Sequence, residues 1–124
     1  MKWRTVVADD EPLSAKRMLR LLAKYQEEIE VIGIAEDGQK AVEIIDRLEP
    51  ELIFLDVEMA HLSGLEVSRQ MRHQPKVQVF FSASAGYRQE AEACGAFAYL
   101  SKPVGQDDMD ALMTRIREYQ LRQD

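Results

Sequence analysis

Apolar positions along the chain fall into two rhythms that take turns. One is a set of short, nearly continuous runs: Trp3–Ala8, Val31–Ala35, Leu52–Leu55, Val77–Phe81 and Phe97–Leu100. Such β-branched and aromatic runs predict strands buried on both faces of a parallel sheet. The other has helical spacing. Ala15, Met18, Leu19, Leu22 and Tyr25 recur behind Pro12, which suits a first helical turn. Ala41, Ile44, Ile45 and Leu48 line a second helix between Asp37, a candidate N-cap, and Pro50. Leu65, Val67 and Met71 mark a fainter helix over Gly64–Arg72, closed by Pro75. Arg88–Cys94 is short and Ala-rich, and Gly95 suits a left-handed cap. Met109, Leu112, Met113 and Ile116 form the clearest stripe, with Asp107, Asp108 and Asp110 where a helix dipole favours anions. No linker, repeat or low-complexity stretch interrupts the alternation. Short connections and right-handed crossovers then predict one doubly wound α/β domain, with five parallel strands and five helices.

The strand ends carry the chemistry. The first run leads into Asp9-Asp10, the third into Asp56, the fourth into Ser82, and the fifth through Ser101 into Lys102-Pro103. Ligands of doubly wound sheets bind beyond the carboxyl ends of the strands. Three acids, a hydroxyl and a lysine should therefore share one pocket, and acids gathered there invite a divalent cation. Asp9, Asp10 and Asp56 make an oxygen-only donor set, which suits Mg²⁺. Asp56 has the setting of a nucleophile toward phosphorus, which forms an acyl phosphate once charge is neutralised. Lys102 supplies a point charge and Ser82 a hydroxyl donor to phosphoryl oxygens.

Totals narrow the classes further. The 124 residues fit a single domain over 1–124, with no output domain in the chain. The formal net charge of −6 disfavours direct nucleic-acid binding, which needs a basic face. Cys94 stands alone, so no internal disulfide is expected, which fits a reducing compartment. No run approaches the roughly 20 apolar residues of a membrane span, and Met1-Lys2-Trp3-Arg4 lacks a signal-peptide core. The expectation is a cytoplasmic protein that does not engage a membrane.

Taken in order, Val6-Val7-Ala8-Asp9-Asp10-Glu11, Asp56-Val57-Glu58-Met59, Ser63-Gly64-Leu65-Glu66, Ser82-Ala83 and Tyr99-Leu100-Ser101-Lys102-Pro103 resemble a response-regulator receiver domain of two-component signalling. The likeness covers essentially the whole chain. It implies a flavodoxin-like fold and a phospho-acceptor switch that catalyses only its own phosphorylation and slow dephosphorylation. Asp56 would take phosphate from a histidine kinase or a phosphotransfer protein. Asp10, Asp56 and the backbone carbonyl of Glu58 would ligate Mg²⁺, with Asp9 acting largely through water. The backbone N–H of Ala83 would hold a phosphoryl oxygen, Lys102 would be the pairing lysine, and the Lys102–Pro103 peptide would be cis. Ser82 and Tyr99 would be the switch residues, the ring moving inward when phosphate arrives. A homodimer formed on phosphorylation, and an effector domain or protein partner controlling transcription, are the partners implied. Asp9-Asp10-Glu11-Pro12-Leu13 is most similar to receivers that precede a LytTR-type DNA-binding domain.

Some positions depart from that pattern. Ala60 stands where the family usually has proline, so a less rigid Glu58–Ser63 loop is expected. Glu58 and Ser84 fall where family members tune hydrolysis of the acyl phosphate; Glu58 either hinders or orients the attacking water. Phe97-Ala98 makes the output face more apolar, which suits either a contact surface or plain core. A phosphate-independent dimerisation or docking module stays open on these departures. A haloacid-dehalogenase-type hydrolase fits worse, because it wants an Asp where Glu58 stands and a nucleophile on the first strand. Plain structural roles suffice for Trp3 at an edge, His61 in a loop, His73 on the surface and Cys94 as a small core group. Lys16, Arg17, Arg20 and Lys24 read as a solvated face, and the family resemblance implies that a kinase docks nearby.

Overall fold

The structure, a computed structural model, describes residues 2–123. Five parallel strands form one sheet: β1 (Trp3–Ala8), β2 (Ile29–Ala35), β3 (Leu52–Asp56), β4 (Val77–Ser82) and β5 (Ala98–Ser101), in the order β2-β1-β3-β4-β5. Five α-helices connect and follow them: α1 (Pro12–Ala23), α2 (Gly38–Leu48), α3 (Gly64–Gln70), α4 (Arg88–Ala93) and α5 (Gln106–Gln123). This is the doubly wound arrangement that the alternating pattern predicts.

Neighbouring residues of one strand point to opposite faces, and the core divides accordingly. Val7, Phe54, Val79 and Phe81 pack with Met18 and Leu22 of α1 and with Met109, Leu112, Met113 and Ile116 of α5. Val6, Ile53, Leu55 and Phe80 pack with Ile45 of α2, Leu65 and Val67 of α3, and Ala91 of α4. Both faces of the central strands are thus covered, which is why those runs carry almost no polar residue. The chain leaves β1 outward to β2, then crosses back over β1 to β3. The strand order reverses between β1 and β3, and a crevice opens at their carboxyl ends.

Several boundaries differ from the sequence reading. β2 begins at Ile29, two residues early, because the turn behind α1 hands the chain directly to the sheet: Ile29 N–H donates to Tyr25 C=O, and Trp3 N–H to Glu28 C=O. α3 stops at Gln70, and Asp46 Oδ1 accepts the N–H groups of Arg72 and His73 just beyond it. A single 3₁₀ turn, Ala85–Tyr87, precedes α4. β5 starts one residue later than the apolar run, at Ala98. Trp3 is not at an edge: it is buried, with its ring 6.5 Å from that of Tyr119. His73 is half-buried with Nε2 2.6 Å from Pro50 C=O, His61 is exposed, and Cys94 is half-buried and free. Among the described residues, no helix is long and apolar enough to cross a membrane.

Candidate functional site

Register places the acids. Ala8 of β1 lies beside Leu55 of β3, so residue 9 emerges next to residue 56 at the reversal point. Asp56 in turn lies beside Phe81 of β4, and Ser82 beside Ser101 of β5. One carboxylate oxygen each from Asp9, Asp10 and Asp56 falls within 4.8 Å of the others. Asp9 and Asp56 are 3% and 1% exposed, while Asp10 faces solvent. Asp9 Oδ1 accepts the Glu11 N–H at 3.0 Å. Its Oδ2 is buried with no hydrogen-bond partner among the described residues, and Lys102 Nζ stands 3.8 Å away. A buried carboxylate oxygen without a donor is costly, and a bound cation relieves it. The donors are all oxygen, as a hard ion such as Mg²⁺ prefers. The residues present therefore fit that metal.

Lys102 reaches the same point from β5. Its N–H donates to Ser82 C=O at 2.9 Å, and the Lys102–Pro103 peptide is cis. Nζ donates to Asp56 Oδ2 at 3.0 Å and lies 5.3 Å from the centre of the Phe81 ring. Burial pushes the Asp56 carboxyl up to about 7; Lys102 opposes that shift and the charge of Asp9 adds to it. For Lys102, burial works against the charge. The hydrogen bond and attraction to Asp56 outweigh it and hold the ammonium above its ordinary range.

The hydroxyl side is wired in series. Ser82 Oγ, 1% exposed, donates to Glu58 Oε1 at 2.6 Å and accepts the Ser84 N–H at 3.0 Å. Tyr99 donates its hydroxyl to Ser84 C=O at 2.6 Å. The inward position expected of Tyr99 only after phosphorylation is already occupied: the ring is buried and its face lies 5.0 Å from the Arg88 guanidinium. Glu58 N–H donates to Asp56 Oδ1 at 3.2 Å, so this residue touches both the acid and the hydroxyl. Ala83 is exposed, and with Glu11, Phe81 and Lys102 it lines an open cavity of about 410 Å³. Phe97 packs partly against the core, edge-on to Tyr119 and 4.7 Å under the Arg115 guanidinium.

All the strand-end residues singled out in the sequence meet here. Two links were not legible there: the Glu58 carboxylate on Ser82, and the Ala60 N–H, which donates to Asp10 Oδ2 at 2.9 Å. The signals for them were Glu58 at a position where family members tune hydrolysis, and Ala60 where they usually have proline.

Known proteins bear on this geometry. The family described as response regulator receiver domain matches residues 5–116. An uncharacterised response regulatory protein of Vibrio cholerae is 35% identical over 122 residues, which are 97% of this chain and 46% of that protein. The transcriptional regulatory protein BtsR of Escherichia coli K12 is 32% identical over 123 residues, 98% of this chain and 51% of BtsR. The chain thus spans about half the length of these relatives. Among solved structures, the REC domain of the response regulator AraT from Geobacillus stearothermophilus superposes with a TM-score of 0.88. It covers 99% of this chain and 98% of its own at 24% identity, a likeness of fold alone. The response regulator domain of Thermotoga maritima CheB gives 0.80 at 28% identity, covering 95% of this chain and 96% of its own. With the family match running over residues 5–116, this chain belongs to the response-regulator receiver domains.

Proposed function

We propose that Asp56 accepts a phosphoryl group from the phosphohistidine of a kinase or phosphotransfer protein, and that Ser82 and Tyr99 pass the change to an effector. The observation that carries this reading is the Asp56 carboxylate itself, buried at the reversal point beside Asp9 and 3.0 Å from Lys102 Nζ. In the transfer, an Asp56 oxygen forms a bond to phosphorus as the P–N bond of the donor breaks, and the donor imidazole keeps the electron pair. Asp9, Asp10, Asp56 and the Glu58 carbonyl would hold Mg²⁺, Asp9 largely through water. Bound there, the ion supplies neutralisation of the carboxylate and phosphoryl oxygens. Lys102 moves its ammonium from the carboxylate to a phosphoryl oxygen, and the Ala83 N–H holds another. The Ser82 hydroxyl leaves Glu58 for a third.

That last movement is the switch. Ser84 N–H donates to Ser82 Oγ, and Ser84 C=O accepts from Tyr99, so displacing Ser82 disturbs the anchor of the Tyr99 ring. The affected face carries α4, β5 and α5, and we assign to it the contact with an effector or with a second copy of the chain. The reading places the domain in the cytoplasm. It assigns any DNA contact elsewhere than in this acidic domain, with transcription as the regulated process. Intact-mass analysis after incubation with acetyl phosphate tests the proposal. One Mg²⁺-dependent phosphoryl adduct is expected in the wild type and none in Asp56→Asn. An adduct that persists in the mutant would mean that another residue is the acceptor.

A further inference from the structure

The loop between β3 and α3 does more than connect them. Ala60 N–H reaches Asp10 Oδ2 at 2.9 Å, and among the described residues this is the hydrogen bond that the Asp10 carboxylate accepts. Ala60 is held from behind as well. Its carbonyl accepts the Leu62 N–H at 2.9 Å, across His61 at φ 73°, and the Gly38 N–H at 3.3 Å. Gly38 opens α2 against Leu62 so closely that a side chain on it would meet the Leu62 carbonyl. The amide that touches Asp10 therefore projects from a loop lashed to the start of a helix, not from a free strand of chain.

Asp10 needs that support more than its partners do. Asp9 and Asp56 are fixed by burial, whereas Asp10 is exposed and would otherwise sample several rotamers in water. Proline, which the family resemblance implies at position 60, has no N–H to give. We propose that the Ala60 backbone N–H is a positioning group for the metal site. It keeps the Asp10 carboxylate within reach of Asp9 and Asp56, in place of the stiffness a proline would bring. Hydrogen bonds to a ligating carboxylate commonly carry about 10- to 100-fold in metal affinity. This inference rests on reading the three acids as a Mg²⁺ site.

The test deletes the donor and keeps the side chain. Replacing Ala60 by lactate in the 124-residue chain turns its amide into an ester, and Mg²⁺ binding is then titrated by calorimetry with acetyl phosphate absent. The ester chain is expected to keep its circular dichroism and to bind Mg²⁺ about 10-fold more weakly. Ala60→Gly, which retains the N–H, should bind Mg²⁺ more tightly than the ester chain. Equal or tighter binding by the ester would overturn the positioning role while leaving the metal reading intact. A wild-type chain that takes up no Mg²⁺ would overturn the metal reading, and this inference with it.

Discussion

A side-chain carbon on Gly64 would meet the Asp56 carbonyl oxygen, and would lie 3.0 Å from its carbon and 3.2 Å from Val57 Cα. Every one of those neighbours is backbone, so none can rotate away. Gly64 also donates its N–H to Val57 C=O at 2.9 Å, which presses the start of α3 onto the end of β3. Gly64→Ala must therefore push Asp56 or withdraw the helix. Overpacking of this kind costs about 1–3 kcal/mol, read as a lower midpoint in urea unfolding. The displaced carboxylate should also be phosphorylated more slowly by acetyl phosphate. Gly105→Ala is the matched control. Its nearest neighbour would be Asp108 Oδ2 at 3.5 Å, ordinary contact, so its unfolding free energy should stay within roughly 1 kcal/mol of the wild type's. A midpoint for Gly64→Ala as high as the control's would show that the junction is softer than its contacts imply.

Between elements, a side-chain path adds to the backbone pairing of β4 and β5: Ser84 N–H to Ser82 Oγ, and the Tyr99 hydroxyl to Ser84 C=O. Removing that hydroxyl alone, in Tyr99→Phe, leaves the buried ring in place. The acetyl-phosphate adduct should then form at the wild-type rate, because Tyr99 touches none of the acids. What should shrink is the phosphorylation-dependent change in hydrogen exchange over residues 84–101. A response as large as the wild type's would remove Tyr99 from the path. The strands themselves were legible because burial on both faces leaves near-continuous apolar runs, and α5 because its stripe is four residues deep. The meeting of Asp9, Asp56, Ser82 and Lys102 was legible for the same reason: parallel register brings strand ends together whatever lies between. α3 was fainter. It spans seven residues, and its ends are set by a capping box between Ser63 and Glu66 and by Asp46 reaching across from α2. The first is local, and readable from Ser63-Gly64-Leu65-Glu66 once the motif is sought. The second is tertiary. Glu58 on Ser82 and Ala60 on Asp10 escaped likewise, since loop geometry and side-chain reach decide them.

For the molecule as a whole, burying Asp56 beside another acid is a liability. Asp56 titrates at about 7 in the folded chain against 3.8 as an unperturbed carboxyl, chiefly because it is buried. Between those values the folded state binds a proton that the unfolded state has released, so raising the pH lowers stability across that window. The contribution is complete below 3.8 and gone above about 7. Burial sets most of its size, Lys102 at 3.0 Å opposes the loss, and the neighbouring Asp9 deepens it. Asp56→Asn has no proton to lose and should evade the decline. In metal-free buffer its melting temperature should rise relative to the wild type as pH goes from 5 to 8. A gap of about 1 kcal/mol corresponds to roughly 4 °C in a domain of this size. Saturating Mg²⁺ should raise the wild-type melting temperature at pH 8 and flatten its pH dependence, since a bound cation holds Asp56 ionised in the folded state. Asp56→Asn, short of one ligand, should respond less. Melting curves of the two proteins that stay parallel from pH 5 to 8, with and without Mg²⁺, would show that burial of Asp56 carries no such penalty and that its charge is already balanced by Lys102 alone.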